Sequence, residues 1–166
     1  MSAVNLSEKL DILRLSLEGD LFTDEPFRIL HATDASAYRA IPLAVARPKT
    51  VEDIRKLIKF ARENKTSLIP RTAGTSLAGQ VVGEGIVVDV SKYFTRILEI
   101  NQEERWVRVE PGVVLDELNM ALAPYGLFFG PETSTANRCM IGGMVGNNAC
   151  GAHSIIYGST RDHLLS

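Results

Sequence analysis

The chain has 166 residues, of which 45% are apolar and 23% charged, and its formal net charge is −2. This is enough for one domain or two small lobes with a modest core. It argues against a general nucleic-acid or membrane-surface binder, since both need a basic excess, and no apolar stretch approaches the roughly 20 residues of a membrane span. Any bound anion must therefore be held by local geometry.

The N-terminus, MSAVNLSEKLDILRLSLEGD, mixes acidic and basic residues among its leucines and is not a signal-peptide core. Leu6, Leu10, Leu13 and Leu17 fall on one helical stripe, with Gly19 suited to end it. Residues 43–47, LAVAR, read as a short buried strand ending at Pro48. In TVEDIRKLIKFARENK, the positions of Val51, Ile54, Leu57, Ile58 and Ala61 mark a helix with one apolar face. Thr50 can cap it, and Glu52 and Asp53 early with Lys56, Lys59 and Arg62 late complement its dipole. Residues 67–70 and 86–90 read as two further strands, so strand, helix, strand implies a parallel pair joined by a right-handed crossover.

The pattern changes near residue 95. Residues 96–100 and 105–110 alternate apolar and polar side chains about a polar turn, which predicts an antiparallel hairpin. Val114, Leu115, Leu118, Ala121 and Leu122 mark a second amphipathic helix, stopped around Pro124 and Gly126, and residues 127–129 read as a short strand. The fold class is α+β. Residues 1–39 form an N-terminal helix and lead-in, and residues 40–166 form two lobes, about 40–92 and 93–166, each with one glycine-rich loop.

The first loop, PRTAGTSLAGQ, spaces Gly74 and Gly79 like a nucleoside-triphosphate loop. Gln80 and Val81, however, stand where that motif needs Lys and Ser or Thr, so cleavage of a triphosphate is not supported. A Rossmann fingerprint is also absent, because Gly83-Glu84-Gly85 precedes a strand and lacks the third glycine. Small residues directly after a buried strand let backbone N–H groups converge on an anion. Thr72, Thr75 and Ser76 add hydroxyls and Arg71 a counter-charge. The competing reading is a tight connection in which the glycines only supply unusual backbone angles. In the second loop, Ile141-Gly142-Gly143-Met144 with Asn147, Asn148 and Gly151 joins close backbone approach to side-chain amides that suit a nucleotide or flavin. Its competing reading is a glycine-rich helix crossing with Asn caps. Two cysteines, Cys139 and Cys150, are too few for a disulfide scaffold, which points to a reducing cytoplasm. Together with His153 and His163 they lack a compact C-x-x-C pair, so no metal is assigned.

Five stretches in order carry a resemblance: HATDASAYRAIPLAVARPKTVEDI, PRTAGTSLAG, GIVVDVS, ILEINQEERWVRVEPGV and PETSTANRCMIGGMVGNNACGAHSIIYGS. From about residue 30 onward the chain resembles the FAD-binding domain of the vanillyl-alcohol oxidase / p-cresol methylhydroxylase (PCMH-type) superfamily. Its nearest flavour is the FAD-linked oxidases, the group of glycolate oxidase, D-lactate dehydrogenase and D-2-hydroxyglutarate dehydrogenase. The resemblance implies a two-lobed α+β domain with FAD between the lobes. It implies that Arg71, Thr72, Ala73, Gly74, Thr75, Ser76, Leu77, Gly79 and Gln80 wrap the FAD pyrophosphate. Pro131, Glu132, Thr133 and Ser134 would lie beside the flavin. Ile141, Gly142, Gly143, Asn147, Asn148, Gly151 and Ala152 would line the rest of the dinucleotide, with Tyr157 nearby and His153 within reach.

Some relatives tether FAD through a His in the first loop, but that place is Gly74-Thr75 here. Cys139 stands close to the place of a Cys tether that relatives with non-covalent FAD also carry, so the expectation is non-covalent FAD. The family's chemistry is hydride transfer from the hydroxyl-bearing carbon of a 2-hydroxy acid, with substrate groups supplied largely by a separate substrate domain. The chain, ending just after RDHLL, is expected to be an N-terminal portion of such an enzyme, inactive alone, with no catalytic residue of its own. Its expected partners are a small-molecule substrate and a redox partner, with no nucleic acid and no membrane span. A non-catalytic nucleotide-binding module is the alternative.

Overall fold

The computed structural model describes residues 5–165. The chain divides into two compact units. One comprises residues up to Arg71 together with Ser76–Tyr93, and the other comprises Thr72–Thr75 together with the residues from Phe94 onward.

In the first unit the leucine stripe forms α1 (Leu6–Ser16), opened by a capping box in which Asn5 and Glu8 exchange hydrogen bonds. The helix ends on Leu17 in extended backbone, so Gly19 does not cap it. Gly19 is needed for close approach instead, since a β-carbon there would stand 2.1 Å from Arg47 O. Two elements without a period long enough to read follow, β1 (Asp20–Phe22) and α2 (Glu25–Leu30). Then come β2 (Ala44–Arg47), α3 (Val51–Asn64), β3 (Leu68–Arg71) and β4 (Ile86–Asp89). Of the expected face of α3, Leu57 and Ala61 are buried and Ile54 is half-buried, but Val51 and Ile58 are exposed; the buried face runs instead through Asp53, Leu57, Phe60 and Ala61, with Thr50 Oγ1 accepting the Asp53 N–H.

The sheet order is β1-β2-β4-β3. β2 and β3 are parallel, as the crossover requires, but they do not pair with each other: β4 lies between them, matching Val45 to Val87 on one side and Ile69 to Val87 on the other. The order follows from composition. β4 is buried along its whole length and fits the centre, whereas Pro70 in β3 has no N–H to donate and fits an edge. Leu10 and Leu13 of α1 and Leu57 and Phe60 of α3 pack with Leu21, Ala44, Ala46, Ile86 and Val88 into one core.

Asp53 is fully buried and joins three segments. Its Oδ1 accepts the Glu18 N–H at 2.9 Å, and its Oδ2 accepts the N–H groups of Gly19 at 3.0 Å and Lys49 at 2.9 Å.

The second unit contains the expected hairpin, β5 (Ile97–Asn101) with β6 (Trp106–Val109), antiparallel with a bulge between Ile97 and Glu99. Arg105, at φ 57°, makes the turn. The second amphipathic helix is α4 (Leu115–Leu122), followed by a 3₁₀ turn at Ala123–Tyr125 and by Gly126 in the left-handed region. Residues 127–129 are not a strand. The Phe129 N–H is taken by the Asn119 side chain at 2.7 Å, and Leu127 and Phe129 pack on the second core. That core holds Val113, Leu115, Leu118, Leu122, Cys139, Ile141, Met144 and Ala149.

The stretch expected as the second glycine-rich loop is mostly helix, α5 (Ile141–Asn147), with Asn148 as its left-handed C-cap. A short α6 (Ser154–Tyr157) follows. Among the described residues, no helix is long and apolar enough to cross a membrane.

Candidate functional site

The first loop leaves β3 at Arg71. Gly74 and Gly79 have φ 68° and 73°, a left-handed backbone that any other residue would adopt only with strain. Between and beside them, Thr72, Ala73, Thr75 and Ser76 are half-buried, while Leu77 and Gln80 are exposed. Within the loop the Ser76 hydroxyl contacts Gln80 Oε1 and accepts the Ala78 N–H at 3.3 Å. The Val82 N–H closes the turn on Gly79 O at 3.2 Å. Short side chains and two left-handed glycines thus give an open loop with its backbone close to the surface.

Arg71 turns away from this loop. Its guanidinium donates to Thr33 O at 2.8 Å and approaches His31 O at 3.5 Å. Burial lowers its pKa, while the charges of Asp89 and Asp34 act against that shift. The counter-charge expected for a phosphate is therefore already engaged.

In the second unit, α5 lies directly against Thr72. A β-carbon on Gly143 would stand 2.5 Å from Thr72 Oγ1, and one on Gly142 would stand 2.4 Å from Pro111 Cβ. The structure thus brings together parts of the two glycine-rich stretches, which lie about 70 residues apart in sequence. The glycines of α5 serve this packing. Its first amides are spent on the protein, Ile141 N–H to Val113 O at 2.9 Å and Gly142 N–H to Pro111 O at 2.8 Å. The Ile141 side chain is in the core.

Pro131 is fully buried, Glu132 and Ser134 are exposed, and Thr133 Oγ1 lies 3.2 Å from Cys139 Sγ. Gly151 presses on this strip, where a β-carbon would stand 1.7 Å from Glu132 O. Glu132 and His153 Nδ1 form an exposed pair. Asn147 and Ala152 are exposed, and Asn148 Oδ1 accepts the Arg161 N–H at 2.9 Å. Tyr157 meets Phe128 edge-on at 5.3 Å.

The sequence reading missed the structural roles of two buried carboxylates, Asp53 and Asp89, and of the half-buried Asp34. Asp53 joins the exits of α1 and β2 through three backbone N–H groups. Asp89, at the end of β4, gathers Arg47 Nε at 2.9 Å, the Ser91 N–H at 3.0 Å and His31 Nε2 at 3.5 Å. Burial alone would raise its pKa, but the hydrogen bonds from His31, Ser91 and Arg47 outweigh burial and hold it far below the usual carboxylate range. Asp34 lies beside the first loop. No periodic pattern marks any of the three, because each acts through single contacts to backbone or a distant side chain.

These features can be set beside known proteins. Residues 42–166 match the family model described as an FAD binding domain, and the chain belongs to that family. FAD is its cofactor. The D-2-hydroxyglutarate dehydrogenase of Haemophilus influenzae is 47% identical over 90% of this chain, and that of Pseudomonas putida is 45% identical over 98%. The glycolate oxidase subunit GlcD of Escherichia coli is 35% identical over 87%. The chain spans only 15% and 17% of the length of the two dehydrogenases and 29% of GlcD. Among solved structures, an alkyldihydroxyacetonephosphate synthase matches with a TM-score of 0.82 at 19% identity, over 96% of this chain and 32% of that one. p-Cresol methylhydroxylase matches with a TM-score of 0.75 at 17% identity, over 90% and 31%. These two establish the α+β PCMH-type fold.

The residues present fit the cofactor. The loop offers backbone and hydroxyls without bulk, and a buried carboxylate oxygen of Asp34 stands beside it without a donor among the described residues.

Proposed function

We propose that this chain is the FAD-binding portion of a flavin-linked oxidoreductase that acts on a small 2-hydroxy acid of the class of D-2-hydroxyglutarate, glycolate or D-lactate. The observation that carries the reading is similarity of 35–47% to dehydrogenases and an oxidase component of that group over most of the chain. Bound FAD supplies the acceptor for the hydride removed from the hydroxyl-bearing carbon.

The chain's own task is to hold the dinucleotide. In the second unit we assign contacts to Thr72, Ala73, Gly74, Thr75, Glu132, Thr133, Ser134, Gly143, Asn147 and Gly151. In the first we assign them to Ser76, Leu77, Gly79 and Gln80. Backbone N–H groups and hydroxyls of the loop grip the diphosphate, which needs neither a lysine nor a metal because it is bound and not cleaved. The Arg71 guanidinium acts as a strut to the lead-in carbonyls rather than as a phosphate ligand. FAD is held non-covalently, since the candidate tether Cys139 is packed in the core. We assign no base to this chain. Proton removal from the substrate hydroxyl, substrate binding and the redox partner belong to polypeptide other than these residues. The two free cysteines suit a reducing cytoplasm.

Thermal unfolding of the chain with FAD and, separately, with ATP tests the reading. FAD should raise the midpoint and ATP should not. A shift with ATP alone would support the plain nucleotide-binding module. Adding D-2-hydroxyglutarate, glycolate or D-lactate to the FAD-loaded chain should leave the flavin oxidised, because substrate groups are missing.

A further inference from the structure

The lead-in segment folds back on itself. Thr33 pairs with Arg39 as an antiparallel bridge, and the Ala40 N–H donates to Ala32 O at 3.0 Å. The resulting turn meets the first loop at two points. Gly79 sits on the Tyr38 ring, where a β-carbon would come within 2.7 Å of Cδ2. The Asp34 carboxylate lies near enough to the Ser76 hydroxyl for that hydroxyl to help lower its pKa.

Asp34 Oδ1 accepts the Ser36 N–H at 2.9 Å. Its other oxygen, Oδ2, is buried and has no hydrogen-bond partner among the described residues. A buried acceptor left without a donor is destabilising. Neutralisation does not remove that cost: burial favours the protonated form, but the contacts from Ser36 and Ser76 outweigh it and lower the pKa. The nearest cation does not remove it either. The Arg71 guanidinium is bonded to Thr33 O, and its charge is shared between Asp34 and Asp89. An unpartnered carboxylate oxygen can only accept, and an ionised phosphate has no proton to donate, so this position suits a hydroxyl or amino donor.

We infer that Asp34 Oδ2 is a cofactor contact, accepting a hydrogen bond from a neutral donor of the bound dinucleotide, a hydroxyl or an amino group. Such donors occur on the sugars, the ribityl chain and the bases of a dinucleotide. The inference rests on the FAD reading above. It adds a residue that neither the loop motifs nor the resemblance singled out.

Asp34→Asn in the full chain provides the test. The remaining amide oxygen is needed by the Ser36 N–H, so the new NH2 takes the place of Oδ2 and offers a donor where the carboxylate offered an acceptor. Removing an unsatisfied acceptor should leave the midpoint of the FAD-free variant at or above that of the parent chain. The Kd for FAD, read from flavin fluorescence, should rise at least tenfold. An unchanged Kd overturns the inference while leaving the proposed function intact. A lowered or lost unfolding transition without FAD also overturns it, by assigning the carboxylate to loop structure. Failure of the parent chain to bind FAD removes the proposed function and this contact with it.

Discussion

Gly143 lies so close to Thr72 that a β-carbon on the glycine would stand 2.5 Å from the threonine hydroxyl. Thr72 is short and branched at Cβ, so its hydroxyl has little room to move. Gly142 is equally confined against Pro111, whereas a β-carbon on Gly146, one turn further along α5, would meet nothing within 4 Å. The three glycines of one helix should therefore respond differently to alanine. Gly142→Ala and Gly143→Ala should each destabilise the chain by about 1–3 kcal/mol through overpacking. Gly146→Ala should stabilise it by about 0.5–1 kcal/mol through lost unfolded-state freedom. Urea unfolding of the three variants decides, and equal effects at all three sites would refute the packing account of α5.

This helix also shows where sequence reasoning reached its limit. α3, α4 and the hairpin were legible because each advertises its period over a whole element. IGGMVGNN reads first as a loop because its glycines lower intrinsic helicity, and the competing reading, a glycine-rich helix with an Asn cap, is the one that matches α5 and Asn148. The segment is helical because carbonyls of Pro111 and Val113 take its first amides, and because Ile141 and Met144 are drawn into the core. The position of β4 was open to a closer reading: a continuous apolar run belongs at the centre of a sheet, and a proline-bearing strand at its edge. The carboxylates were not legible. Asp53 looks like a helix-dipole residue, and only the fold shows that it ties α1's exit to β2's exit.

Asp53 gives the second prediction. It is fully buried and takes N–H groups from Glu18, Gly19 and Lys49. Asp53→Ala leaves those donors without their acceptor, and a buried donor without a partner is costly. The expected loss is about 3 kcal/mol of unfolding free energy. Thr50→Ala, which removes only the cap bond to the Asp53 N–H, should cost about 1 kcal/mol. If Asp53→Ala proved no worse than Thr50→Ala, the three-segment junction would lose its support.

Asp89 gives a pH dependence with a defined sign. Its pKa is lowered in the folded chain, so the folded state binds this proton less readily than the unfolded one. The resulting stabilisation is fully present above the unfolded carboxylate pKa of roughly 4. It is lost as pH falls below that value toward the folded pKa. Midpoints measured from pH 7 downward should hold to about pH 5 and then fall. Asp89→Asn should flatten the acid limb, leaving a smaller slope from groups such as Asp53, whose pKa is also lowered. An acid limb of the same steepness in the variant would show that Asp89 does not carry it.

Cys139 gives the last. Its side chain is in the second core, with Sγ 3.2 Å from Thr133 Oγ1 and 3.7 Å from Met144 Sδ, whereas Cys150 is exposed. A thiol so placed behaves as a small packing residue and is shielded from the solution. Alkylating reagent added to the native chain should modify Cys150 first, and Cys139 should react only when the chain is unfolded. Cys139→Ala should cost about 1 kcal/mol through the small cavity it leaves, without altering the Kd for FAD. Acid precipitation of the FAD-loaded chain should release the flavin quantitatively into the supernatant. Flavin retained in the pellet of the parent chain but not of Cys139→Ala would show instead that the thiol leaves the core and reaches the cofactor. The packing of Cys139 against Met144 would then describe only the flavin-free protein.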